Sequence, residues 1–364
     1  MAWRIGALSR VLVLFLAVGL AVGGVSPAAA PPAPALAAPA PALASPPPQT
    51  TTVHFGSPQS ISDAGVIIGQ ARGYFGEVGI DVDSLPFQSG PNLIPPLATG
   101  DLQAGGGNFN IAFLNAVDRG VNMKIVADKG IAKPGFQYVQ FPVRRALLDS
   151  GAVRTLNDLR GHKVAVASLQ AGAEAIAHQV LGVGGVGIDE VDLQVMGYPD
   201  MLVAFGNGAI DAGVVIEPSL SAGIDRGLIS SWPPGDVAAA YGGTYQAGVL
   251  YFSGQFAAQG DLPRRFMVAY LRGVRDYLDA FVKGQGKEDI ISLLMEGTSI
   301  KDRSVYETMQ MAGLDPDGRV FRPSLQIELD YYRERGYYTG NSTLDQVIDP
   351  SFAEAAAQQL GPYQ

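Results

Sequence analysis

The side chains of this sequence that could do chemistry are limited in kind. There is no Cys, which removes disulfides, thiolate nucleophiles, iron–sulfur clusters and Cys-ligated zinc. The three histidines, His54, His162 and His178, form no HxH or HxxxH pair, so a histidine-built metal site is not supported. Gly182-Val183-Gly184-Gly185-Val186-Gly187 satisfies the spelling GxGxxG. That spelling cradles a pyrophosphate only between a strand and a following helix. Here a helical run precedes it and a strand-like run follows, so it reads as a Gly-rich helix end. Neither GxxxxGK[ST] nor GxSxG occurs, which leaves no P-loop and no nucleophile elbow. The carboxylates are spread over helical segments, where a solvated face is the ordinary reading. Acid–base catalysis needs two of them converging in a cleft, and spacing alone does not show that.

The more informative residues sit where strands are expected to end. In open α/β sheets, small ligands bind beyond the carboxyl ends of strands, where helix N-termini offer free N–H groups and a positive dipole end. In the first half these positions are Ser57–Ser60, Gln88–Gly90 and Asn108–Asn110. In the second half they are Ser168–Gly172, Tyr198–Asp200 and Glu217-Pro218. They are rich in Gly, Ser, Gln, Asn and aromatics, with hardly any Lys or Arg. Each residue alone is also an ordinary turn or cap residue. As a set they can surround a small polar ligand with donors and acceptors, and they contain no evident nucleophile–base pair. Ser168 is the best contact for an anion, through its hydroxyl and the N–H groups after it. Glu217 would oppose an anionic group and suit an amine, with Phe109 or Tyr198 able to stack on a ring. The structural alternative for Glu217 is an ion pair with Arg144 or Arg145.

The elements that must hold these positions alternate. Strands are expected at Thr52–Gly56, Ile80–Phe87, Leu102–Gly106 and Met123–Ala127. Helices come between them, one capped at Ser62-Asp63, one following a Gln88–Asn92 loop, and one through Ala112, Leu114 and Val117. The rhythm restarts with a short helix at Thr155–Gly161 and a strand Lys163–Ala167. It continues with a helix from Ser168–Gly172 to Leu181, a strand Val191–Met196, a helix Asp200–Phe205 and a strand Ala212–Ile216. Gly243–Ser253 is a further apolar strand region, and from Asp261 the chain turns to amphipathic helices. Strand–helix–strand units of this length imply parallel-dominated sheets flanked by helices. The expectation is an α/β protein of two lobes, with chain crossings near Val139–Arg145 and Val249–Gly254.

Composition narrows the setting. The chain has 364 residues and a formal charge of −9, and the first fifty residues hold Arg4 and Arg10 but no acid. The remainder is therefore more acidic still, which argues against nucleic acid and anionic membrane surfaces as partners. A basic Met1–Arg10, an apolar Val11–Val22 and small residues from Gly23 through Ala30 have the form of a secretory signal. The apolar run is shorter than the roughly 20 residues of a bilayer span, so cleavage is expected rather than a permanent anchor. With no Cys after the cleavage zone, a lipoprotein is ruled out. The Ala/Pro-rich run to residue 50 reads as an extended spacer. No later run is long enough to span a bilayer, and the body beyond it is expected to be soluble and extracytoplasmic or periplasmic.

Several motifs together resemble one family. Gly69-Gln-Ala-Arg-Gly-Tyr-Phe-Gly-Glu-Val-Gly-Ile-Asp-Val82 is similar to the "A…GYF…GLDV" signature of periplasmic solute-binding proteins. The branch is the nitrate/sulfonate/taurine type, which includes binders of thiamine pyrimidine precursors. Leu97–Gly107, Gly120–Ala127, Asn157–Ala165, Gly208–Ala212 with Glu217-Pro218, and Tyr331-Tyr332…Gly336-Tyr337 follow in the family's order. Gln103 stands where many relatives carry Asp, which affects a local turn. Eukaryotic relatives that synthesise the pyrimidine carry a Cys-rich iron motif, and this chain has no Cys for it.

The resemblance implies a type II-like periplasmic-binding-protein fold. Its organisation would be a signal over 1–30, a linker over 31–50, a first lobe over 51–142, a second over 143–249 and a return to the first over 250–364. It implies a monomer without cofactor or metal that closes on a small molecule and delivers it to the permease and ATPase of an ABC importer. Matching ligand positions are Gln59, Ser60, Gly90, Asn108, Phe109, Asn110, Ser168, Gly172, Tyr198 and Glu217. Two other functions stay open: an enzyme on the same bilobal fold, such as a pyrimidine-precursor synthase, and a ligand-sensing adaptor for a membrane partner.

Overall fold

The computed structural model describes residues 50 to 364. The signal expected over 1–30 and nearly all of the 31–50 linker lie outside the described residues.

Two mixed five-stranded sheets organise the chain. The first has the order β2-β1-β3-β12-β4, with β1 at Thr51–Ser57, β2 at Ile80–Pro86, β3 at Ala104–Gly107, β4 at Lys124–Ala132 and β12 at Tyr245–Phe252. β2, β1 and β3 run parallel, and β12 lies antiparallel between β3 and β4. The second sheet has the order β11-β6-β9-β7-β8. Its strands are β6 at Val143–Arg144, β7 at Lys163–Val166, β8 at Asp192–Val195, β9 at Ala212–Gly213 and β11 at Ile229–Ser230. Here β8, β7 and β9 run parallel, with β6 antiparallel between β9 and β11. Both sheets therefore share one plan: a parallel trio with its first strand central, then an antiparallel strand, then a last strand. In each sheet the antiparallel member is the strand that arrives directly from the other half of the chain.

Between the sheets, β5 at Val139–Gln140 pairs antiparallel with β10 at Val215–Ile216. This corrects the single strand expected over Ala212–Ile216. Its first part joins the second sheet, and its last two residues join the connecting pair. The first crossing falls at β5 and β6, as the sequence suggests. The second does not lie at Val249–Gly254, because Val249 to Phe252 are already paired with β3 and β4. It occupies residues 231 to 244, between β11 and β12. A run of Tyr, Val, Leu and Phe reads as a crossing or as a core strand equally well, and only its neighbours decide.

Two further expectations shift. The Gln88–Asn92 loop is shorter than expected, since a helix begins at Gly90 and runs to Thr99 with Pro91 in its first turn; proline there gives up an N–H that has no helical partner. β4 does not stop at Ala127 but continues through Asp128 and Lys129 to Ala132. C-terminal helices complete the fold. The longest, Leu262–Val282, packs against the Ala64–Ala71 helix of the first lobe. Among the described residues no helix is long and apolar enough to cross a membrane.

Candidate functional site

The parallel strands of both sheets end on a shared cavity. From the first sheet come Ser60 and Ser62 after β1, Gly90 at a helix start, Asn108 after β3 and Lys129 within β4. From the second come Ala167 after β7 and Gly172 and Tyr198 at helix starts, while Val139, Ile216 and Tyr245 line its base. The space is small, about 50 Å³, on the order of a few water molecules. Backbone hydrogen bonds join the lobes beside it: the Ile111 N–H donates to the Gln170 carbonyl at 3.3 Å and the Gly172 N–H to the Phe109 carbonyl at 3.1 Å. A wider recess of about 370 Å³ adjoins it, sharing Pro58, Ser60, Tyr198 and Ile216 and adding Phe87, Gln88 and Pro199.

Lys129 is the charged residue of the inner cavity, and sequence reading missed it. The residue is 2 % exposed. The ammonium donates to Ser62 Oγ at 2.9 Å and lies 2.9 Å from Asp63 Oδ1, while Asp63 Oδ2 accepts the Ser60 N–H at 2.8 Å. Burying an ammonium this completely requires such a partner. The stem of Lys129 lies across Gly106, where a Cβ would overlap its Cδ and Cε. That is one physical reason for the bare Gly105-Gly106-Gly107 strand. The signal was present in the sequence: a charged Asp-Lys pair within the apolar run Ile125 to Ala132.

Polar atoms without partners cluster around the same space. Among the described residues, Asn108 Oδ1 on the cavity wall and Ser168 Oγ in the neighbouring turn are each buried with no hydrogen-bond partner. Unsatisfied buried polar groups are rare and costly, so Asn108 on the cavity wall marks a place where a ligand completes the bonding. Behind Tyr245, the fully buried Glu328 carboxyl accepts the Tyr332 hydroxyl at 3.1 Å. Burial pushes its pKa up to about 8.

Of the residues expected at the site, Ser60, Gly90, Asn108, Gly172 and Tyr198 line the inner cavity. Ser168 lies in the same turn as Ala167 and Gly172, 7 % exposed. Gln59, at φ 54°, lines the outer recess instead. Phe109 is buried at 1 % exposure against Phe113 and Tyr332, out of reach for stacking on a ligand. Asn110 is a helix cap, accepting the Phe113 N–H at 2.9 Å and donating to the Asn108 carbonyl.

Glu217 is not on the walls of the inner cavity and borders the outer recess, with Pro218 and Ser219. Its carboxyl accepts the Ser221 N–H and hydroxyl at 2.9 and 2.7 Å and the Gln310 N–H at 3.1 Å. It is fully buried, and burial raises its pKa to about 7 despite these bonds. The alternative ion pair fails too: Arg144 binds Asp211 and Arg145 binds Asp149. Glu217 is an anchor that ties the Gln310 segment to the second lobe.

Residues 60–280 match the family model described as NMT1/THI5 like. No curated protein sequence matches the chain significantly. Among solved structures it is similar to the alkanesulfonate-binding protein SsuA from Xanthomonas axonopodis pv. citri bound to MOPS, at 17 % identity and TM-score 0.62, covering 85 % of this chain and 98 % of that one. It is similar to the periplasmic nitrate-binding protein NrtA from Synechocystis PCC 6803, at 15 % identity and TM-score 0.65, covering 86 % and 90 %. It is also similar to the desulfurization enzyme DSZB, at 14 % identity and TM-score 0.55, covering 85 % and 99 %. At these identities the likeness is one of fold: the two-lobed architecture of periplasmic binding proteins.

Proposed function

The chain belongs to the NMT1/THI5-like family, and on that premise we propose that it is the extracytoplasmic solute-binding component of an ABC importer. It captures a small polar organic molecule between its lobes, of the sulfonate or nitrate type or a pyrimidine-type heterocycle, and passes it to a permease and its ATPase. One observation carries this: the enclosed cavity at the strand ends of both sheets, with the buried Asn108 Oδ1 left unpartnered on its wall among the described residues. A ligand contacting both walls stabilises the closed arrangement of the lobes, and hinge bending at the crossings would release it. We take the first lobe as 51–142 and the second from 143, with the return beginning at β12 rather than at 250. Residues 1–30 act as a cleaved export signal and 31–50 as a spacer, which places a monomeric binding protein outside the cytoplasm.

The reading is of capture, not turnover. Lys129 and Ser62 have the spacing of a base–nucleophile pair, but Asp63 holds the amine in an ion pair. Lys129 thus donates to Ser62 rather than taking its proton. DSZB keeps the enzymatic reading in view, since the fold serves both roles, and a sensory adaptor would use the same cavity. A thermal-shift screen of residues 50–364 against sulfonates, nitrate, aromatic acids and pyrimidines tests capture, because a ligand that favours the folded state raises the midpoint. A midpoint raised by one class with no product formed over hours supports the proposal. Conversion of that ligand by pure protein would replace it with the enzymatic one.

A further inference from the structure

The C-terminal Arg322–Glu334 helix is rooted in the first lobe. Its Leu325, Leu329 and Tyr332 are buried in one core with Phe113, Ile125 and Tyr251. Another edge of the same helix faces the second lobe. Tyr331, and Arg335 where the helix ends, are four positions apart and so share one side of it, and both reach residues of the second lobe. The Tyr331 hydroxyl donates to Glu174 Oε1 at 2.7 Å, and its ring stacks on His178 with 4.3 Å between centroids. Glu174 and His178 are likewise one helical turn apart, on the Gly172–Val183 helix. The Arg335 guanidinium forks onto both oxygens of Asp189, at 2.6 and 2.7 Å.

This row of contacts joins the lobes without using either chain crossing. Any hinge motion that parts the two helices must break it. A hydrogen bond to a buried carboxylate shifts an equilibrium by about ten- to hundred-fold. The Arg335–Asp189 pair is weaker because its side chains are 30 % and 71 % exposed, and such a pair adds up to about fivefold. Together they amount to on the order of a hundredfold, enough to turn evenly balanced open and shut lobes into about 99:1.

We propose that Tyr331 and Arg335 form a clasp that holds the lobes shut through the protein's own contacts, so that the shut arrangement is the main state before any small molecule is bound. The clasp concerns the lobes alone and goes beyond the capture reading. A ligand then selects a shape that is already populated. Its exchange requires the C-terminal helix to let go of Glu174 and Asp189.

The test uses the purified full chain, dialysed free of small molecules. The sequence has no Cys, so Gln88→Cys and Asp200→Cys supply one pair of spin labels. Both residues are exposed and border the outer recess from opposite lobes. Distances measured between the labels by electron paramagnetic resonance should form one short population in the parent. Arg335→Asp should raise the open fraction about threefold or more. Tyr331→Phe with Glu174→Gln, which leaves no buried carboxylate unpaired, should raise it about tenfold or more. Arg335→Asp with Asp189→Arg should restore the parent distribution, which a substitution that merely damaged the helix would not allow. If the Tyr331 double variant fails to fold, the exposed Arg335 variants still decide the question. A mostly open parent would overturn the clasp. So would variants that keep the parent distribution, or a charge swap that restores nothing. No ligand enters these measurements, so a screen in which nothing binds would sink the capture reading and leave the clasp standing.

Discussion

The Tyr331 hydroxyl donates to Glu174 Oε1 at 2.7 Å, a buried bond that ties the C-terminal Arg322–Glu334 helix to the Gly172–Val183 helix of the second lobe. The other oxygen of Glu174 accepts the Gln170 N–H at 2.6 Å. One carboxylate thus fixes both the approach of the C-terminal helix and the turn that carries Ser168. Tyr331→Phe strips the partner from a buried carboxylate oxygen, at a cost of about 1–3 kcal/mol. Denaturant unfolding should show the loss, and an unchanged midpoint would mean the contact contributes nothing.

Ser168 and Asn110 separate binding from folding. The Ser168 hydroxyl has no partner among the described residues, so Ser168→Ala should leave thermal stability unchanged. Bound ligand should be held more weakly, by about 0.5–1.5 kcal/mol for a neutral acceptor and about 1.5–3 for a charged one. Asn110→Ala removes a helix cap and should lower stability by about 0.5–2 kcal/mol, with affinity nearly unchanged. The reverse pattern in paired melting and titration experiments would show the two roles to be exchanged.

Glu217→Gln replaces an acceptor of three hydrogen bonds with an amide that has one oxygen. The Ser221 or Gln310 N–H then loses its acceptor, which lowers the melting midpoint whatever ligand is present. The preference between anionic and neutral ligands should stay where it was. A changed preference would place the carboxyl in the site after all.

Stability should fall as pH rises from about 5 to 9. Burial raises the carboxyls of Glu217 and Asp128 to about 7 and that of Glu328 to about 8, all above their ordinary values. A raised carboxyl holds its proton more tightly folded than unfolded. Its contribution is complete below the unfolded pKa and is lost as pH passes the folded one. Glu328→Gln, neutral throughout, should match the parent near pH 5 and exceed it at pH 9 by on the order of a few kcal/mol. Melting curves across this range decide the matter, and equal slopes for both proteins would refute the role given to Glu328.

Gly106→Ala sets a methyl against the Lys129 stem. Overpacking of this kind costs about 1–3 kcal/mol, and it should also displace the ammonium. Stability and ligand affinity should therefore fall together, where Gly120→Ala, at a glycine with nothing within 4 Å of the added methyl but φ 87°, would disturb stability alone.

Sequence alone determined the alternation of strands and helices, the two-lobed plan and the strand ends where a ligand would meet the protein. These follow from periodicity, from Gly and Pro at turns, and from the order of family motifs, all of which are local along the chain. It also brought Ser60, Gly90, Asn108, Gly172 and Tyr198 to one place, because the ends of parallel strands in such sheets face a common crevice. What only the tertiary structure decided were the roles that depend on a partner distant in sequence. Phe109 enters the core because Tyr332 lies 223 residues on. Glu217 is spent on Gln310, 93 residues away. Lys129 can be buried as a cation because Asp63 and Ser62 meet it across the sheet. Local pattern places a backbone, but the charge and freedom of a side chain depend on what the fold sets opposite it.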